Sequence, residues 1–287
     1  MISVIGPGGV GGLLAALLIR SGQDVTVVAR AGTAERIGAE GLRVESAQFG
    51  SFTVNPTVAL VPPSGAPAIV AVKQYGLADV LPDLRVAQPV EMLSLLNGLA
   101  HAPLIHAAVP ESRAVNGSIN VVSERREDGV IEHPVDFSVV NVPRDAGDLA
   151  LVSALEAAGV TVNAEGSEHE VLWKKLRFLA PMALLTSWAD APLGEALARE
   201  PDLTRGVVEE VAALANAEGV STDSGRILRY LEGVEPTAWS SLALDVRRGG
   251  PTELAAIGDD LIYRADSRHL AVPHLQRVVN AIGARLE

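Results

Sequence analysis

The sequence predicts a two-domain α/β chain: a parallel sheet with helices on both faces over residues 1–164, then an all-helical domain over residues 165–287. Three observations carry that prediction. Short β-branched runs alternate with helical patterns in the first part, whereas long helical patterns without strands fill the second. A glycine cluster, Gly6-Pro7-Gly8-Gly9-Val10-Gly11, joins the first strand to the first helix. The length of 287 residues also suits two domains of roughly 150 residues each.

The elements follow in order. Residues 2–5 are a short apolar strand that stops at Gly6, and residues 13–19 form the apolar helix behind the glycines. Residues 24–30 read as a buried strand rich in β-branched side chains. Further strands are expected at residues 68–72, 91–95, 130–132 and 137–140, with helices near 76–84, 103–108 and 146–158. From about Ser167 the pattern turns helical, over residues 168–187, 204–218, 224–232, 237–248, 252–265 and 273–286. Gly219, Pro236 and Gly249-Gly250-Pro251 punctuate those helices. No repeat or low-complexity segment appears, and the only charge run is the short Glu124–Asp128 cluster.

Composition narrows the function classes. Aromatic residues make up only 3% of the chain, so Ala, Val, Leu and Ile must fill the core. No apolar run approaches the roughly 20 residues of a membrane span. The N-terminal apolar run lacks a basic leader and is broken by glycines, so it does not read as a signal peptide. The absence of cysteine excludes disulfides and thiol chemistry, and no metal-ligand cluster is visible. These features together read as a soluble cytoplasmic protein. A net charge of −12 argues against nucleic acid and anionic membranes as partners.

Gly6, Gly8 and Gly11 give the G-x-G-x-x-G spacing between a strand and a helix, the arrangement of a dinucleotide-binding turn. Gly6 allows the tight turn, Gly8 admits a pyrophosphate, and Gly11 lets helix and strand pack closely. At the end of the second strand, where NAD enzymes place an acid for the ribose 2′-hydroxyl, this chain has Arg30. A guanidinium there suits a 2′-phosphate and so favours NADP(H), although Arg30 also reads as one more exposed arginine after a strand. Lys73 and Asn97-Gly98 follow two further strands, at the ends where open sheets bind ligands.

A proton donor must come from the helical part. On the expected helix over residues 168–187, Lys174 shares a face with Glu170 and Arg177, an ordinary surface pairing. Lys175 instead falls among Leu172, Leu176 and Leu179. An inward lysine is costly unless it is paired or used, and burial lowers its pKa toward a useful range. The competing reading is a stem that covers the core edge while the ammonium reaches water. Glu253 is the best acidic counterpart, expected to open a helix whose dipole would stabilise its carboxylate.

Together these motifs resemble ketopantoate reductases (2-dehydropantoate 2-reductases) over nearly the whole chain. The resemblance rests on Gly6–Gly11, Arg30, Val72-Lys73, Asn97-Gly98, Leu172 to Lys175, Ser240-Ser241, Asp245, Thr252-Glu253 and Ala271-Val272-Pro273. It implies a Rossmann-type NADP-binding domain and a helical domain like the C-terminal domain of 6-phosphogluconate dehydrogenase. It implies NADPH-dependent reduction of ketopantoate to pantoate, a step toward pantothenate and coenzyme A. By the same resemblance, Lys175 is the general acid and contacts substrate. Gly6, Pro7, Gly8, Gly9, Val10, Gly11, Arg30, Lys73, Asn97 and Glu253 serve the cofactor, while Asn97 and Ser241 also face the substrate. The family is monomeric or forms a homodimer through the helical domain. This chain departs from the family at its substrate-binding asparagines, replaced by Leu179, Ala183 and Leu193. Loss of those amides favours a more apolar ketone or 2-oxo acid, or a dinucleotide-binding sensor without turnover.

Overall fold

A computed structural model describes residues 1–287 and divides them into two compact units. The first comprises Met1–Leu96 and His101–Val171, the second Asn97–Ala100 and Leu172–Glu287.

In the first unit, β1 (Ile2–Ile5), α1 (Gly9–Arg20), β2 (Val25–Val28) and α2 (Ala31–Glu40) open an alternating pattern. A hairpin of β3 (Leu42–Ser46) and β4 (Gly50–Val54) interrupts it before β5 (Thr57–Ala59) and β6 (Ala68–Val70). Then follow α3 (Leu77–Ala87), β7 (Glu91–Ser94), α4 (His101–Ala108) and β8 (Arg113–Asn116). Strands β5-β2-β1-β6-β7-β8 form one six-stranded sheet in that order, parallel throughout. The order reverses at β1, whose neighbours are β2 and β6, so the glycine turn stands at the switch point where such sheets take ligands. Val4, Leu13, Leu14, Leu17, Leu18 and Ile69 are buried and tie α1 to the sheet.

Four strands of the parallel sheet, β1, β2, β6 and β7, are those the sequence predicts; its outer strands β5 and β8 are not, and the strands expected at 130–132 and 137–140 belong to two additional small sheets. Strands β9 (Ser118–Asn120), β10 (Glu124–Arg125), β11 (Ile131–His133), β12 (Val139–Val142) and β13 (Thr161–Ala164) build these, with α5 (Ala150–Ala157) before β13. One sheet runs β10-β11-β3-β4 and the other β13-β12-β9. Both mix parallel and antiparallel pairs, unlike the all-parallel arrangement expected from sequence. Strands β3, β4, β5, β8, β9, β10 and β13 are not evident in the sequence, because such short strands carry too few apolar residues for a clear period.

The second unit is helical. It comprises most of α6 (Glu168–Ala189), then α7 (Leu193–Arg199), α8 (Pro201–Ala217), α9 (Ser224–Glu232) and α10 (Ser241–Arg248). It ends with α11 (Asp260–Ser267) and α12 (Pro273–Gly283). Helix α6 starts on a capping box: the Ser167 backbone N–H donates to Glu170 Oε2 at 2.7 Å, and the Glu170 N–H donates back to Ser167 Oγ at 3.3 Å. Farther along, the Trp173 indole is fully buried and donates to Glu218 Oε2 at 2.9 Å. Burial alone would push the Glu218 carboxyl up, but the indole bond with Arg264 and Arg268 holds it below its usual range. That buried carboxylate anchors α6 to α8 and α11.

Two helix starts differ from expectation. The helix expected from residue 237 begins at Ser241, because Ser240 Oγ accepts the Ala243 N–H at 3.1 Å and caps it. The helix expected over 252–265 opens instead with a π-helical turn at Ala255–Asp259. Such turns relax the i→i−4 ladder and often occur where a site constrains the backbone.

Candidate active site

The glycine turn is shaped by its neighbours. Gly6 has φ +88°, open to glycine but strained for other residues, and a side chain there would meet Val72 Cγ1 at 2.6 Å. A side chain at Gly11 would strike the Gly6 carbonyl, and one at Gly9 the Ser123 carbonyl. Gly8 is different, because nothing lies within 4 Å of the space a side chain would fill. The chain can therefore take a ligand against Gly8, at the N-cap of α1, where unpaired helix N–H groups favour an anion.

A cavity of about 320 Å³ opens at this turn. Gly6, Pro7, Gly8, Arg30, Lys73 and Arg125 are among its lining residues, while Gly9, Val10 and Gly11 form the first turn of α1 behind it. Arg30 caps the start of α2 without a side-chain cap bond, and its Nη2 donates to Asp79 Oδ2 at 2.7 Å. Both groups are exposed, so the pair is weak and either partner exchanges readily with water or ligand. The open approach at Gly8 and the cations around the cavity fit a dinucleotide's phosphates.

In the second unit, three side chains from distant parts of the sequence form a hydrogen-bonded chain. Lys175 Nζ donates to Asn97 Oδ1 at 2.8 Å, and Asn97 Nδ2 donates to Glu253 Oε2 at 3.1 Å. The ammonium donates only and the carboxylate accepts, so the Asn97 amide has one satisfactory orientation. Asn97 takes one of the three ammonium donors and leaves two for an outside acceptor. Burial pushes the Lys175 ammonium down from 10.5 to about 8, while the Glu253 charge opposes that shift. Lys175 therefore sits inward with its ammonium bonded to Asn97, which does not match a stem whose ammonium reaches freely into water.

The backbone holds this chain together. Gly98, at φ +85°, lies where a side chain would meet the Ala256 carbonyl at 2.6 Å, so the Asn97-Gly98 turn packs closely on the π-helical turn. Glu253 is buried two residues before that turn, and its carbonyl accepts the Ile257 N–H at 3.0 Å. It stands at the helix start expected from sequence, and the Asn97 amide adds a side-chain partner that the sequence did not show.

The remaining sequence-predicted residues are placed less closely. Ser241 is exposed in the first turn of α10, while its neighbour Ser240 caps that helix and bonds Thr186 Oγ1 at 2.7 Å. Ala183 and Leu193 are fully buried, and among the three replaced asparagine positions only Leu179 keeps exposed surface. Sequence reasoning missed Asp79 and Arg125 as lining residues. Asp79 lies on a helix 49 residues from Arg30, and Arg125 sits inside an ordinary-looking charge cluster.

Comparison with known proteins places the chain. The family model described as ketopantoate reductase PanE/ApbA matches residues 2–142, and its C-terminal counterpart matches residues 169–286. A curated relative from Halobacterium salinarum, named 2-dehydropantoate 2-reductase, is 26% identical and is aligned over 98% of this chain and 97% of its own. A solved PanE/ApbA family ketopantoate reductase from Ralstonia eutropha JMP134 superposes with TM-score 0.89 at 26% identity, covering 100% and 98% of the two chains. A D-mandelate dehydrogenase solved with NADH and anilino(oxo)acetate superposes equally well, TM-score 0.89, over 100% and 98% of the chains. At 18% identity that likeness speaks for the fold alone.

Proposed function

The chain belongs to the ketopantoate reductase family, and from that premise we propose that it reduces a 2-oxo acid to a 2-hydroxy acid with NADPH, ketopantoate being the first substrate to test. The observation that carries this reading is the Asn97–Lys175–Glu253 chain, which holds a cation with two donors unspent and a pKa of about 8.

A bound reduced nicotinamide supplies the hydride for the carbonyl carbon. The work of the protein's own residues is different. Lys175 donates a hydrogen bond to the carbonyl oxygen, stabilises the negative charge that grows there, and then gives up its proton. A pKa near 8 suits that task, because the lysine is charged at neutral pH yet releases its proton far more readily than an ordinary lysine. Asn97 aims the ammonium, and Glu253 fixes Asn97 and keeps Lys175 protonated.

The cofactor class is a nicotinamide dinucleotide, and Arg30 supports the phosphorylated form through the 2′-phosphate. Leu179, Ala183 and Leu193 favour a second reading that keeps the reaction but changes the ketone to a more apolar one. The expected partners are small molecules, with the chain acting as a monomer or as a homodimer through the helical unit. No helix is long and apolar enough to cross a membrane.

One experiment tests both readings: NADPH oxidation followed with ketopantoate and with a panel of branched, aromatic and unbranched 2-oxo acids, compared by kcat/KM. Ketopantoate leading the panel supports the first reading, and an apolar 2-oxo acid leading it supports the second. Tight NADPH binding without oxidation of any panel member would overturn both and leave a dinucleotide sensor.

A further inference from the structure

Arg125 is the one arginine of the glycine-turn cavity that has no partner. It stands in β10, a two-residue strand paired antiparallel with β11. The segment before it is pinned to the glycine turn: Ser123 Oγ donates to the Gly9 carbonyl at 3.0 Å, and the Ser123 carbonyl occupies the space beside Gly9. Arg125 therefore reaches the cavity from the sheet edge that covers the start of α1.

Its neighbours show how unusual that state is. Arg126, next in sequence, pairs with both Asp128 and Glu45 at 3.0 Å. Arg30, across the cavity, pairs with Asp79. Arg36 donates to the Glu127 carbonyl at 3.4 Å. Arg125 Nη1 is inside the protein with no hydrogen-bond acceptor, in a chain where 35 acids outnumber 23 basic residues. Burial, with the nearby Arg36 charge, pushes its guanidinium below the ordinary arginine range. A buried donor left unsatisfied is costly, and the cost of a charged one is removed only by an acceptor from elsewhere.

We propose that Arg125 is a direct ligand of the dinucleotide's phosphate oxygens, satisfied only when the cofactor is bound. This rests on the cofactor reading above. A planar guanidinium with a free Nη suits an anionic phosphate, and the open face at Gly8 lets one approach. Two phosphate groups carry this chemistry, the bridging pyrophosphate and the 2′-phosphate, and NADH against NADPH separates them.

The test is Arg125→Gln, with Kd for NADPH and NADH measured by calorimetry at several salt concentrations. A loss of about ten-fold or more for both cofactors assigns the pyrophosphate, and a loss confined to NADPH assigns the 2′-phosphate. In either case the dependence of Kd on salt becomes shallower. The ligand-free Tm should hold or rise, because an unsatisfied charge has been removed, whereas a structural arginine would lower it. Affinities within two-fold of wild type for both cofactors overturn the proposal. Wild-type protein that binds neither dinucleotide overturns the cofactor reading instead, so the two failures are distinct. A second measurement needs no variant: phenylglyoxal modification mapped by mass spectrometry. NADPH should protect Arg125 but not the exposed Arg205, and equal modification of Arg125 with and without NADPH also overturns the proposal.

Discussion

The glycine-turn cavity and the Asn97–Lys175–Glu253 chain each hold a cation partly out of water, and they treat it in opposite ways. Lys175 is already bonded to Asn97 and is supported by the Glu253 charge. Arg125 keeps a buried nitrogen with nothing to bond. On the proposed roles, the contrast separates chemistry from binding. A group that must hand over a proton in a defined direction is set in place before substrate arrives, and its pKa is tuned by fixed neighbours. A group whose task is affinity gains most when the ligand itself supplies the missing partner.

The sharpest way to break this comparison is Lys175→Ala. The reduction should fall by about 10²–10⁴ in kcat while the dinucleotide Kd stays within a few-fold of wild type. Retained turnover would remove Lys175 from the chemistry, and a collapse in cofactor affinity would place it on the binding side instead.

The cost of holding Lys175 inward is itself measurable. With a folded pKa of about 8 against 10.5 when unfolded, it binds fewer protons folded than unfolded between those values. The desolvation cost is therefore fully present below about pH 8 and is relieved as pH rises toward 10.5. Relative to Lys175→Met, wild-type stability should be flat at neutral pH and climb through that window by up to about 3 kcal/mol. Thermal melts of both proteins across that range check it, and parallel curves would show an unperturbed lysine.

The same pKa sets the activity profile. Reduction should decline as pH rises through about 8, where Lys175 loses its proton. Glu253→Gln removes the charge that opposes the burial shift, so the decline should move to lower pH. The expected signature is a several-fold loss at pH 8 that shrinks toward acid pH. A uniform loss at every pH would give Glu253 a purely structural part.

The smallest effect belongs to the exposed pair. Asp79→Asn frees Arg30, and NADPH should bind about two- to five-fold more tightly while NADH changes little. Equal gains for both cofactors would show that Asp79 repels the dinucleotide's phosphates generally and does not occupy a 2′-phosphate site.

Much of this was legible in the linear sequence. The strand, the glycine spacing and the apolar helix α1 were readable because each follows from local sterics and periodicity. The inward face of Lys175 was likewise visible, since helical spacing alone puts it among Leu172, Leu176 and Leu179. The small sheets around β3 and β11 were not legible, because their strands find partners up to about ninety residues away and bury only alternate positions. Glu253 was legible as the residue that opens a helix, but its side-chain partner Asn97 lies 156 residues away and was not.

The sequence by itself determined the division into a parallel α/β part and a helical part, the glycine turn between β1 and α1, and the inward face of Lys175. These are consequences of local backbone freedom and of hydrophobic period, which act over a few residues. Tertiary structure alone decided which polar groups meet. It gave Lys175 its Asn97 and Glu253, gave Arg30 its Asp79, and left Arg125 without an acceptor. Whether a charge is paired, desolvated or waiting for a ligand depends on atoms within a few ångströms in space, and chain position does not encode that neighbourhood.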